Sequence, residues 1–385
     1  MEFDFLHPVN KDVIEYVQSL TSQNLGSKVV LHTESDFPDL HKVQIAIIGV
    51  LENRGDSSAK EAVDLTAIRK EFYGLYPGNW QASIADLGDI CAGEELSDTY
   101  FAVKSVVALL IKKKVIPIII GGSQDLTYAM YRAYDNLEQM VNLVCIDSKF
   151  DLGREKATDI ASSYLSRIII EEPNNFFNYS VVGYQTYHNA QEEIDLMEKL
   201  FFDIYRLGEI ASNISVSEPV FRDADIVSVD LTSIQSSNSG NFITFTPNGF
   251  DGKEICSLSR YAGLSDKVTL FGIFNHNNSK QESALIAQIL WYFIEGFEYR
   301  LKEYPYSSKE NYYKYIVLLE QEELVFYKSD KTERWWIEVH QIMDYHTKKQ
   351  KTTLLPCSYE DYLSAIDQKI PERWWKFQRK SIILQ

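Results

Sequence analysis

The sequence predicts a three-layer α/β/α fold with a mainly parallel sheet of about eight strands, followed by a small β-rich appendage. Two short apolar runs, 115–120 and 141–146, have strand length and carry no alternation, which is the pattern of parallel strands buried on both faces. Segments of helical period separate such runs, so right-handed crossovers would cover both faces of the sheet. From about Tyr304 the texture changes to aromatic, strand-like runs split by polar turns.

In chain order, the amino-terminal segment is mixed, and the first strand is expected over 43–50. Ser57 or Ser58 is expected to open a helix running through Ile68 to Phe72, before a short strand over 82–87 that ends in Asp86-Leu87-Gly88-Asp89. Val103, Val106, Val107 and Leu110 mark one face of a helix over 97–113, whose lysine-rich end suits the negative pole of the helix dipole. Strands are then expected over 115–120, 141–146, 179–183, 203–207, 226–231 and 268–273, with helices over 126–134, 160–169 and 190–200 between them. Ser279-Lys280-Gln281-Glu282 has the form of a capping box and should start the last helix of the body, ending near Arg300.

The body is assigned to residues 1–300 and the extension to 301–385. In the extension, 312–319, 324–328 and 335–339 read as an antiparallel meander, and Ser358 with Asp361 reads as the start of a final helix. Paired tryptophans, Trp335-Trp336 and Trp374-Trp375, need a surface to pack on, either the body or a second subunit.

Composition narrows the function. With 38 Lys and Arg against 55 Asp and Glu, the net charge of −17 repels phosphate backbones and anionic lipid, so neither nucleic acid nor a membrane surface is an expected partner. A small cationic ligand is compatible with that charge. No run reaches the ~18 uncharged apolar residues of a spanning helix and the first residues do not resemble a signal peptide, so a cytoplasmic location is expected. Cys91, Cys145, Cys256 and Cys357 stand far apart, which argues against a zinc knuckle or a disulfide framework.

The chemistry gathers at strand ends. Asp147 and Asp151 follow the 141–146 run, Asp230 ends the 226–231 run, and Gly121-Gly122-Ser123-Gln124-Asp125 follows the 115–120 run. Parallel sheets place ligands at the carboxyl ends of their strands, so these groups are expected to converge. The bland alternative is that the aspartates cap the following helices.

Gly121-Gly122-Ser123-Gln124-Asp125, Asp147-Ser148-Lys149-Phe150-Asp151 and Ser228-Val229-Asp230-Leu231-Thr232 resemble, in order and spacing, the metal motifs of the ureohydrolases, a family of arginase, agmatinase and formimidoglutamase. Its motifs are Gly-Gly-Asp-His, Asp-Ala-His-x-Asp and Ser-x-Asp-x-Asp. The likeness covers about residues 43–300, with support from Asp86-Leu87-Gly88-Asp89 and from Thr246-Pro247-Asn248-Gly249-Phe250. It implies two manganese ions bridged by carboxylates, activating a hydroxide that attacks an amidine or guanidinium carbon. It also implies a homo-oligomer, with trimers or hexamers as the family pattern.

Asp147, Asp151 and Asp230 match the family's carboxylate ligands. Gln124 stands where the first histidine belongs, Lys149 where the second does, and Thr232 where the last aspartate does. Asn275 occupies the approximate position of the acid that holds the substrate cation. An ammonium cannot ligate a metal, so Lys149 is expected as a fixed cation paired with at least one of the three aspartates. These departures lead to an expectation of no cofactor, or at most one weakly bound divalent metal, manganese, on Asp147, Asp151 and Asp230 with Gln124. They imply a pseudoenzyme with a decayed binuclear site that is structural, regulatory or ligand-binding, with no catalytic residue assigned. The alternative is an active C–N hydrolase on a formimidoyl or guanidino compound, such as formimidoglutamate, arginine or agmatine. A third reading makes the aromatic extension the functional part and the body its platform.

Overall fold

Nine strands, all paired in parallel, form the central sheet of the computed structural model, which describes residues 3–59, 62–137, 139–153, 159–303, 308–320, 322–344 and 349–383. They are β1 (Val30–Leu31), β2 (Ile45–Leu51), β3 (Ile84–Cys91), β4 (Ile116–Gly121), β5 (Val141–Ile146), β6 (Phe176–Tyr184), β7 (Asp203–Arg206), β8 (Ile226–Asp230) and β9 (Leu270–Phe274). Their spatial order is β1-β3-β2-β4-β9-β8-β5-β6-β7. The ninth strand, unforeseen in the sequence, is β1, a two-residue edge pairing with Ala85 and Asp86 of β3. Two residues are too few to carry a periodic signal.

Alternation along the strands splits the core into two layers. Leu143 and Cys145 face the helices Leu96–Lys112 and Leu126–Arg132, where Val103, Val106, Val107 and Met130 are buried. Val144 and Ile146 face the opposite layer, with Ile255 and Leu258 of the helix Gly252–Leu264 and Ile289, Leu290 and Phe293 of the helix Lys280–Glu298. Each such fully buried side chain contributes about 1.5–3 kcal/mol. Together the layers give the three-layer α/β/α body.

One expected helix start moves. Its first turn begins at Thr66, in the helix Thr66–Gly74, not at Ser57 or Ser58. Asp56 Oδ1 instead accepts from Ser58 N and Ser58 Oγ, both at 2.7 Å, and folds this stretch into a turn. The last body helix starts where its cap predicts, Ser279 Oγ accepting from Glu282 N at 3.1 Å. The Glu282 carboxylate turns to Asn277 N rather than back to the cap residue, so only half of a capping box forms.

The extension forms a four-stranded antiparallel sheet of β10 (Tyr312–Leu318), β11 (Glu323–Ser329), β12 (Trp335–Asp344) and β13 (Lys349–Cys357). The fourth strand, with five polar or charged residues at its start and Pro356 near its end, gives little strand signal in sequence. Helices Tyr359–Ile366 and Glu372–Ile383 follow, the first capped by Ser358 and Asp361. The sheet packs on the body. Phe177 of β6 joins a core with Phe326, Trp335, Ile337, Trp374 and Phe377, and Lys380 Nζ donates to Asn178. Arg222, almost fully buried, donates to the carbonyls of Trp335 at 2.9 Å and Cys357 at 3.0 Å, pairs with Glu218 at 3.1 Å, and stacks on Trp336.

That guanidinium joins two carbonyls of the second sheet to Glu218 of its own helix, so its removal strands both carbonyls, while Glu218 keeps Arg334 at 3.2 Å. Arg222→Ala is expected to lower the unfolding free energy by ~3–5 kcal/mol, read from the urea midpoint of the full chain. A change under about 0.5 kcal/mol would show that the two sheets are held by the apolar contacts alone.

Candidate functional site

The neighbours β4, β9, β8 and β5 bring four strand ends together at one edge of the sheet. Gln124 follows β4, Asn275 follows β9, Asp230 ends β8, and Asp147 to Asp151 follow β5. The bulk of Gly122 is limited here, since a Cβ would lie 2.0 Å from the Glu52 carbonyl oxygen.

Asn275 is the centre of the arrangement. It adopts φ +64°, a left-handed conformation that Asn tolerates better than most residues. From there its backbone N–H donates to Gly122 O at 2.6 Å, its Oδ1 accepts from Gln124 N at 3.2 Å, and its Nδ2 donates to Asp230 Oδ1 at 3.0 Å. One side chain therefore ties the ends of β4, β9 and β8. Thr232 completes the shell of Asp230, donating from its backbone N–H at 2.8 Å and from Oγ1 at 2.6 Å. Gln124 is buried, and its Nε2 donates to the Tyr164 hydroxyl at 3.3 Å, which in turn lies 3.3 Å from Cys145 Sγ.

Asp147, Asp151 and Asp230 are brought together. Burial, then the Asp230 charge, pushes the Asp147 carboxyl up, with contacts to Asp151 and Gln124 opposing the rise. Burial and the charges of Asp147 and Asp230 push Asp151 well above the carboxylate range. Asp230 is also raised by burial, against the hydrogen bonds of Thr232 and Asn275. Three carboxylates in one dry site cannot all ionise without a compensating cation.

Lys149 does not supply that cation by contact. Its side chain is exposed, and it forms no ion pair among the described residues, contrary to the expected pairing with an aspartate. The turn after β5 is the cause: Lys149 N donates to Asp147 Oδ1 at 2.9 Å, while Asp151, at φ +51°, is directed back into the site. Its ammonium keeps its hydration, and its charge still acts at a distance on Asp151 and Asp230.

Beside these groups opens a cleft of about 180 Å³, lined by Gly122, Ser123, Thr232, Asn275 and His276 at the strand ends and by Asp56, Ser58, Ala59, Ala62 and Val63 opposite them. The second wall is not evident in the sequence, because Ser57 and Ser58 read there as a helix start. The Asn53-Arg54-Gly55-Asp56 cluster was the available signal. His276 stays neutral, since burial pushes its imidazole down to about 4. Also missed was Glu282, whose carboxyl is buried and raised to about 8 by burial, with the Asp230 charge adding to the rise against the hydrogen bond from Asn277 N.

Comparison with known proteins bears on what this edge is. A family model of the arginase family matches residues 44–284. The chain belongs to the arginase family. It is similar to formimidoylglutamases of Staphylococcus aureus, at 26% identity over 261 residues, 64% of this chain and 82% of the relative. Its fold is similar to the Trypanosoma cruzi formiminoglutamase structure with Mn2+2, with a TM-score of 0.62 and 18% identity over 69% of this chain and 100% of that one. It is likewise similar to the Bacillus subtilis formimidoylglutamase structure, with a TM-score of 0.61 and 16% identity over 70% of this chain and 94% of that one. The agmatine ureohydrolase of Thermoplasma volcanium matches with a TM-score of 0.57 and 18% identity, covering 74% and 98%.

The manganese of the formiminoglutamase structure corrects the cofactor expectation: the arginase fold is one that carries a binuclear manganese site, not at most one weak ion. This chain's donors differ from the set its family resemblance implies. Asp147, Asp151 and Asp230 converge, but the two imidazole positions hold a buried amide bonded to Tyr164 and an exposed ammonium, and Thr232 donates to Asp230. Among the described residues, no group of three or more His, Cys, Asp or Glu side chains is placed to hold a metal ion. As placed, these residues do not fit the binuclear centre.

Two measurements follow from this geometry. Asn275→Ala removes both side-chain bonds and puts a Cβ residue without a local hydrogen bond at positive φ, so a loss of ~1–3 kcal/mol is expected in urea unfolding, with Asn275→Gly losing less. An equal loss in both would assign the stability to the side-chain bonds alone. The second concerns Glu282. Its folded carboxyl titrates near 8 against an ordinary 4.5, so the stability held by the protonated form is complete below about 4.5 and is lost as pH rises toward 8. Glu282→Gln should therefore gain on the parent between pH 5 and pH 8, by a few kcal/mol at most at ~1.36 kcal/mol per unit. A gap independent of pH would show that Glu282 is ionised in the folded protein.

Proposed function

We propose that this member of the arginase family is non-hydrolytic and holds a small cationic or amidine ligand at the carboxyl edge of its sheet. Asn275 carries this reading. At the approximate position of the acid that would hold a substrate cation in the family, it has no charge, and both ends of its amide are bonded within the chain, to Gln124 N and Asp230. Replacing a charge-assisted contact by a neutral one forfeits ~1.5–3 kcal/mol of ligand and transition-state binding. Thr232 adds to the loss, since it donates to Asp230 where the family's motif has a second carboxylate. The buried carboxylates still favour a cation nearby, which supports binding without turnover.

The formimidoylglutamase relatives support a second reading, an active C–N hydrolase on a formimidoyl or guanidino compound. One assay separates the two. With manganese supplied, the unmodified protein is expected to release no formamide from formimidoylglutamate and no urea from arginine, agmatine or guanidinobutyrate. Robust manganese-dependent release from any of them would replace the first reading with the second.

A further inference from the structure

The segment that closes the cleft on its outer side presents three apolar side chains to solvent. Phe242, Ile243 and Phe245 are 66%, 80% and 63% exposed, and the two phenylalanine rings stack 6.4 Å apart. Exposure on this scale within four positions is a feature that needs a reason. Looseness of the segment does not explain it. Asn241 is buried, and its Oδ1 accepts from Ile243 N at 3.1 Å and Thr244 N at 3.0 Å. Ser236 and Thr246 close the base, Thr246 N donating to Ser236 Oγ at 2.7 Å and Ser236 N donating to Thr246 O at 2.8 Å. The inward side of the turn thus uses its polar groups, and the apolar side chains are held outward.

The same turn belongs to the cleft, since Asn241, Ile243 and Thr244 line it together with Thr232 and Asn275. Those last two bond Asp230, and Asp147 and Asp151 stand behind it. Among the described residues lining the cleft, the one formally charged side chain is Asp56, and no Lys or Arg is present. A free amino acid would bring an α-carboxylate beside Asp56, with no lysine or arginine among the described lining residues to pair with it. In a polypeptide that carboxylate is replaced by a peptide bond. The volume of about 180 Å³ lies below the ~300–1,000 Å³ of common ligand pockets, which suits a single side chain. The chain's net charge of −17 favours a basic partner at the encounter stage.

We propose that the cleft receives one basic side chain, arginine or lysine, of a partner polypeptide, whose apolar neighbours pack on Phe242, Ile243 and Phe245. This rests on the reading of the edge as a non-hydrolytic, cation-holding site and names its ligand. Asp56 in the lining and Asp230 behind Thr232 and Asn275 favour the cation, and the apolar rim selects the residues beside it. Ile243 belongs to both parts, lining the cleft and standing exposed at its mouth.

The test uses the full chain and a fluorescein-labelled pentapeptide of leucine, arginine and phenylalanine flanked by glycines, read by anisotropy. The peptide is expected to bind at least tenfold more tightly than N-acetylargininamide used as competitor, and citrulline in place of arginine should weaken it at least tenfold. The exposed double variant Phe242→Ser with Phe245→Ser should weaken the peptide at least fivefold and leave N-acetylargininamide within twofold. Light scattering on the same variant identifies the other occupant: a smaller assembly with unchanged peptide affinity would mean that the rim contacts a second copy of the chain, and would overturn the proposal. It would also be overturned if the peptide bound no more tightly than N-acetylargininamide, or if citrulline were tolerated. Binding of the small cation with no gain from the peptide removes this inference alone, whereas formamide or urea release removes the non-hydrolytic reading beneath it.

Discussion

The hydrogen bonds of Asn275 set the geometry on which the edge of the sheet depends. Four strands end there, and their carbonyls, amides and carboxylates lose water to the fold. A buried polar group left without a partner is destabilising by about 1–3 kcal/mol, so strand ends of this kind need internal donors and acceptors. Asn275 supplies both, with a donor toward Asp230 and an acceptor toward Gln124 N. Its left-handed backbone directs its N–H at Gly122 O. Aspartate there would have no donor for Asp230 and would add a fourth negative charge.

Around that clip the electrostatics are unbalanced by design of the fold rather than by a single residue. Parallel strands deliver Asp147, Asp151 and Asp230 to one dry place, and their raised carboxyls record the burial and repulsion. The cation present in the same motif, Lys149, is exposed. An ammonium is strongly hydrated, and the turn that sends Asp151 inward sends Lys149 outward. Among the described residues no cation contacts these carboxyls, so they keep protons or pair with a positive charge that the described residues do not supply.

The second sheet shows the same dependence on a few partnered polar groups. Its aromatic core alone would leave strand-end carbonyls at the junction, and Arg222 satisfies two of them while stacking on Trp336. The aromatic richness of the extension thus reflects packing on the body through Phe177, Phe377 and Trp374. Trp375 remains partly exposed, edge-on to Phe201.

The sequence by itself determined the α/β class, the parallel strands and the identity of the groups at their ends, because a buried strand needs an unbroken apolar run and its end is where polarity returns. It could not reveal β1 or β13, since two residues carry no period and a polar, proline-containing strand carries little. Nor could it determine direction at the site. Asp147, Lys149 and Asp151 lie within five positions, yet two face inward and one outward, and only the backbone torsions after β5 decide which. The partners of Asn275 are up to 153 residues away in the chain, at Gly122, and Phe242, Ile243 and Phe245 read as an ordinary apolar stretch until the fold leaves them in solvent. Such contacts arise from the order β4-β9-β8-β5, a property of how the strands cross over that no local pattern encodes.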